Sequence, residues 1–401
     1  MKIYLTENTL GKVLFYMLLV STAISTSFYN SPLKIFPYIF MLILDVLIIY
    51  HAFTSPVHIH SANLLLTMVF AYYLIRSIRG LNIVASLASC SQLVMCLTVF
   101  FAAVTYFDIE TYEKVCKALI VALFPHTILV IIQRMSGLGV DHVGGLFGIT
   151  LGTSNLCNNA FLSVCSVILV AYWLENKINK YIFALGIMCC AASAALAEIK
   201  FYFLEIVIFV IFYLINSRDL KKSFLFVVIS VGILYFGIKL LAVANPYFAN
   251  FFTIEGITDY INSGYGGKTF AVSRINGYPF VSLVFFENNI YKIIFGNGYG
   301  GDLSGIATAY HTFYFTYSSL YFAGGIFGSI LMALFFICIA IKSVVSKVAL
   351  EGRLSLFMAV IALATFFYDS QVLFPQAIPF IYFVLAGVEI ANNSLINGVK
   401  A

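Results

Sequence analysis

The sequence predicts an all-α polytopic membrane protein of about twelve transmembrane helices, with one long outer segment. Three observations lead there. Of the 401 residues, 62% are hydrophobic, where a soluble domain has about 45–50%. Only 10% are charged, against about 25% in such a domain. The apolar residues also fall in runs of the length needed for a hydrocarbon core roughly 30 Å thick, about 20 residues of helix per crossing. These proportions exclude a soluble enzyme, a disordered chain and a nucleic-acid-binding protein. The net charge of +5, from 22 Lys and Arg against 17 Asp and Glu, is the modest excess expected where cytoplasmic loops hold basic residues.

In chain order, the runs fall near residues 11–28, 34–53, 61–76, 83–107, 115–134, 157–174, 180–197, 200–215, 223–243, 312–341, 354–369 and 374–391. The first follows a basic residue, Lys2, but no small-residue cleavage site ends it, so it reads as an uncleaved span. An even count puts both termini on one side of the membrane. Lys12, Lys114, Lys117, Lys177, Lys180, Arg218, Lys221, Lys222, Lys342, Lys347 and Arg353 occupy alternate connections, which makes that side cytoplasmic. The chain then divides into helices over 1–243, an outer segment over 244–311 with short helices and ordered loops, and helices over 312–401. No other connection is too long for a turn. All eight cysteines lie in or beside apolar runs without metal-ligand spacing and read as packing residues.

Lys34, Arg76, Arg79, Arg134, Lys200, Lys239, Lys268, Arg274 and Lys292 remain on the outer side under this topology. Either the span count is off by one near Arg76 and Arg79, or the outer face is basic in order to hold an anionic ligand. Gly296-x-Gly298-x-x-Gly301 matches a dinucleotide fingerprint as a string, but no βαβ unit surrounds it. His311 stands where the outer segment enters a span, and there an imidazole can take a proton from a hydroxyl near neutral pH. Arg274 offers a planar, always charged donor array suited to phosphate. Glu198 and Lys200 break two apolar runs, with Glu205 deeper, and such groups need a partner or a cavity. Glu198–Lys200 or Glu205–Lys239 pairing is the structural alternative. Asp45 and His126 read as structural; Pro125 should kink its helix and free a carbonyl for the imidazole. Gly324, Gly325 and Gly328 permit close helix packing.

Ile294-Phe-Gly-Asn-Gly-Tyr-Gly-Gly301, Tyr310-His-Thr-Phe-Tyr314 and Gly324-Gly-Ile-Phe-Gly328 together resemble the glycine turn, histidine and glycine-containing span of bacterial O-antigen and capsular polysaccharide polymerases. These belong to the polymerase and O-antigen ligase superfamily of C-type membrane glycosyltransferases. Arg274 resembles that family's outer-loop arginine. Gly145-Leu-Phe-Gly148 with Thr153-Ser-Asn-Leu-Cys-Asn-Asn159 resembles its outer loop before a mid-chain span. Ala197-Glu-Ile-Lys200 departs from the Ser-Arg that many relatives carry there.

The resemblance implies a multi-pass enzyme of the bacterial plasma membrane that moves a growing glycan from its polyprenyl diphosphate onto a second lipid-linked repeat unit at the outer leaflet. Inversion at the anomeric carbon, without metal or other cofactor, is implied with it. Donor and acceptor are polyprenyl-diphosphate-linked oligosaccharides, membrane lipids surround the protein, and a chain-length regulator is a candidate partner. His311 would be the base, Arg274, Lys200, Arg76 and Arg79 the diphosphate ligands, and Glu198, Tyr310 and Tyr314 their support. Transfer to lipid A core by a ligase, flipping of the lipid-linked oligosaccharide by a transporter, and a non-enzymatic scaffold are the alternatives.

Overall fold

The computed structural model describes residues 6–27, 31–55, 60–78, 83–216, 253–263, 271–300, 303–346 and 349–396, with isolated positions between 224 and 239. Arg79, Lys268 and most of the run predicted at 223–243 lie outside the described residues. Among those described the chain is all-helical. The first helices are α1 (Glu7–Ser27), α2 (Phe36–Thr54), α3 (Ser61–Ile78), α4 (Ile83–Tyr106), α5 (Ile109–Met135), α6 (Thr153–Leu174), α7 (Lys180–Leu196) and α8 (Lys200–Asn216). The described parts of 244–311 form four short helices, α9 (Ile254–Asn262), α10 (Gly277–Val284), α11 (Ile290–Phe295) and α12 (Ser304–Ala309). Then come α13 (Thr316–Val345), α14 (Ala349–Tyr368), α15 (Ile378–Leu385) and α16 (Gly387–Ile396).

Eight segments are long and apolar enough to cross a membrane: α1, α2 with its leading turn, α3, α5, α6, α13, α14, and α15 with α16 as one unit. The described residues thus support eight spans where the sequence predicts about twelve. The apolar helices α7 and α8 run only 17 residues each, and α4 carries described side chains only over Cys90–Tyr106. Helix α6 is buried on every side from Cys157 to Trp173, as expected of an element at the centre of a bundle. Helix α2 is its opposite, exposing Leu42, Val46, Ile49 and Phe53.

Local chemistry starts these helices. Asp108 accepts the Thr111 N–H at 2.7 Å to cap α5, and Asn179 accepts those of Tyr181 and Ile182 at 3.0 and 2.9 Å to cap α7. At one end of the bundle, charged groups pair across helices: Lys12 with Asp108 at 2.7 Å, Lys177 with Glu113 at 3.4 Å, Lys342 with Glu389 at 2.5 Å, and Arg353 with Glu175. Burial raises the Asp108 carboxyl, but the hydrogen bonds from Lys12 and Thr111 outweigh it and hold the group down to about 2.

At the other end, α13 is broken. Gly325 has φ 65° and ψ −165° inside the helix, so carbonyls of the preceding turn lose their usual donors. The glycine turn supplies replacements: Asn297 N–H donates to Phe322 O at 2.8 Å and Gly298 N–H to Ala323 O at 2.9 Å. A Cβ at Gly296 would strike the Ala323 carbonyl, and one at Gly325 the Ile294 carbonyl. Helix α3 clamps the joint. Tyr72 donates to Gly324 O at 2.7 Å, and Arg76 to Gly296 O at 2.5 Å. Gly324 and Gly328 receive the Tyr73 ring, so the small residues serve close packing as well as a break the sequence did not predict.

Candidate functional site

The loop before α6 is pinned to α5 by an amide and an imidazole. Gln133 accepts the Gly144 and Gly145 N–H groups at 3.1 and 2.8 Å and donates to Gly145 O at 2.9 Å. His126 Nδ1 accepts the Leu146 N–H at 3.2 Å, so its proton sits on Nε2 and points to Asn158 Oδ1 at 2.9 Å. His126 is therefore structural, as expected. Its partners are Asn158 and Leu146 rather than a carbonyl freed by Pro125, because α5 continues through the proline.

Helix α7 ends in a left-handed residue, Glu198, at φ 53°. Ile199 N–H reaches back to Ala194 O at 2.8 Å and Glu198 N–H to Ala195 O at 3.2 Å, the pattern that usually carries glycine. The tight reversal brings Glu198 and Lys200 together at the start of α8. Across from them, Ser273 and Asn276 close a turn through two mutual hydrogen bonds of 2.6 and 3.2 Å, and the Tyr317 hydroxyl holds that turn on α13 by donating to Ser273 O at 2.8 Å. Arg274 projects from this turn.

These elements surround a cavity of about 1090 Å³, slightly above the ~300–1,000 Å³ usual for small-molecule sites. Arg274, Lys200, Glu198 and Tyr314 all line it, with Asp141, Asn155 and Asp369. The Arg274 guanidinium carbon lies 4.8 Å from the centre of the Tyr368 ring and 5.5 Å from that of Phe315, so two aromatic rings set its plane. Tyr368 also packs on Phe201 at 4.4 Å. Arg274 and Lys200 are near enough to act on one another electrostatically, with Glu198 and Asp141 offsetting part of the positive charge.

Asp369 was not singled out by the sequence, where it reads as one acid after an apolar run. It accepts from Gln371 N–H and Gln371 Nε2, both at 2.9 Å, and from Asn159 Nδ2 at 3.1 Å, while its carbonyl takes the Thr316 N–H at 2.8 Å. Burial pushes its carboxyl up to about 6, against the lowering by those hydrogen bonds and by the Arg274 charge.

The remaining candidates are placed elsewhere. His311 does not line the cavity; its ring packs 4.8 Å from that of Tyr314, which does. Its backbone is left-handed, at φ 60°. Tyr310 packs on Phe280 and Phe285 and accepts the Val272 N–H at 3.1 Å. Arg76 is committed to the glycine turn and to the Tyr291 hydroxyl at 3.0 Å, away from the cavity wall. Glu205 is buried and bonded to Ser163 at 2.7 Å, whereas Lys239, its partner in one structural alternative, is exposed and sits over Tyr235. Among the described residues no cluster of His, Cys, Asp or Glu could hold a metal ion. No protein-family model, curated protein or solved structure matches the chain.

Proposed function

We propose that this chain is a polysaccharide polymerase of the C-type glycosyltransferase kind. It would have about twelve spans, residues 244–311 on the outer face, and both termini in the cytoplasm of a bacterial cell. The observation that carries the reading is a single cavity at one end of an apolar helical bundle that holds Arg274 and Lys200 beside Glu198 and Tyr314. Two cations in one cavity, offset in part by Glu198, Asp141 and Asp369, suit a diphosphate, whose negative charge grows as it leaves.

In the proposed reaction, a hydroxyl oxygen of the incoming repeat unit bonds to the anomeric carbon of the growing chain. The bond from that carbon to the diphosphate oxygen breaks, and the polyprenyl diphosphate departs with the electron pair. Arg274 and Lys200 meet the charge it gains. The hydroxyl proton would reach His311 by way of Tyr314 or a water, because His311 itself lies one ring behind the cavity wall. Glu198 orients Lys200.

Purified protein given synthetic polyprenyl-diphosphate repeat units should build a ladder of lengthening chains that remain on the carrier. Transfer only to added lipid A core would identify a ligase, and no transfer to either acceptor would remove the enzymatic reading.

A further inference from the structure

Uncharged polar side chains line the cavity beside the charged ones. Gln92 lines it from α4, nine residues after Ile83, which at 1.5 Å per residue is about 13 Å along the helix axis. Tyr299 and Ser319 line the same cavity close to one another, and Tyr299 lies within electrostatic reach of Cys90 and Cys96 on either side of Gln92. These three side chains are an amide, a phenol and a hydroxyl, none of them charged.

The amides of Gln133, Asn155 and Asn159 each donate to a protein oxygen. The Gln92 amide makes no hydrogen bond with any described residue, although its helix neighbours Cys90 and Leu93 are buried and apolar. A polar group placed inside an apolar helix and facing a cavity has a use for that cavity, because elsewhere in the span it would only cost free energy. Its two donors and one acceptor match a pair of neighbouring hydroxyls or an acetamido group.

We propose that Gln92 recognises an uncharged sugar ring of the lipid-linked substrate, with the cations of the cavity holding the diphosphate; this rests on the reading of the cavity as a glycosyl-transfer site. Gln92 is then a specificity residue, and the cavity divides into an anion end and a sugar end.

The test uses the full chain in nanodiscs and two synthetic probes: polyprenyl diphosphate carrying a neutral hexose or N-acetylhexosamine, and bare polyprenyl diphosphate. Dissociation constants are measured by thermophoresis for wild type, Gln92→Leu and Gln92→Asn. Gln92→Leu should bind the glycosylated probe roughly 3–10-fold more weakly, the worth of one or two neutral hydrogen bonds, and the bare probe unchanged, which also serves as its folding control. Gln92→Asn, one methylene shorter, should fall between. Wild-type affinity of Gln92→Leu for both probes would overturn this assignment alone, as would equal loss on both. A wild-type protein that binds neither probe would overturn the glycosyl-transfer reading with it.

Discussion

The ring of Tyr368 touches Arg274, whose guanidinium carbon is 4.8 Å from its centre, and Phe201, 4.4 Å away and next in sequence to Lys200. One aromatic side chain thus packs against both the arginine of the cavity and the residue beside its lysine. Tyr368→Leu removes the plate without removing a charge. A cation–π contact is worth about 0.5–2 kcal/mol, so KM for a lipid-linked substrate should rise roughly 2–30-fold. Tyr368→Phe keeps the ring and should stay close to wild type.

Glu198 occupies a left-handed position where glycine is relaxed. Glu198→Gly should raise the folded stability by about 1 kcal/mol and lower turnover. A thermal scan alongside an activity assay checks both. A variant that gains stability and keeps full activity would make the carboxylate a passenger of the turn.

Gly325 can take no side chain, because of its positive φ and the Ile294 carbonyl in front of it. Gly325→Ala should open the joint between α13 and the glycine turn and sharply reduce the yield of folded protein. Gly305→Ala, where a Cβ meets nothing within 4 Å, should express normally. The yields, read by size-exclusion chromatography in detergent, separate the two.

The helical class was legible because it rests on composition and run length, which tertiary contacts do not alter. Arg274, Lys200 and Glu198 were legible as charges that an apolar chain does not place without reason, and the fold gathers them around one cavity. Arg76 satisfied the same rule, yet serves the glycine turn: a charge at a helix end carries no mark of which carbonyl it will meet. Asp369 was hidden because its importance comes from α6, the Arg274 turn and the start of α13, all distant in sequence. Neither Gln92 nor the break at Gly325 has a local signal that sets it apart from ordinary packing.

The raised carboxyl of Asp369 has a signed consequence. The unfolded chain releases this proton near 3.8, whereas the folded protein keeps it until about 6. Between those values the folded state binds more protons, so stability falls as pH rises through that window and is level above it. Asp369→Asn should remove this fall from a plot of thermal midpoint against pH. Asp108 works in the opposite sense and in a separate window: its contribution is present above 3.8 and is lost as pH drops toward about 2. An unchanged midpoint profile between roughly pH 4 and 6 in the asparagine variant would show that Asp369 titrates normally.

The central claim is that glycosyl transfer takes place in the cavity that Arg274 lines. The most direct measurement is the ladder formed from synthetic lipid-linked repeat units by purified wild type, Arg274→Ala and His311→Asn. Wild type should polymerise, and Arg274→Ala should fold but build no chain. His311→Asn, whose new residue tolerates the left-handed backbone, should slow roughly 10²–10⁴-fold, as loss of a positioned base does. Chains of wild-type length and rate from Arg274→Ala would contradict the claim.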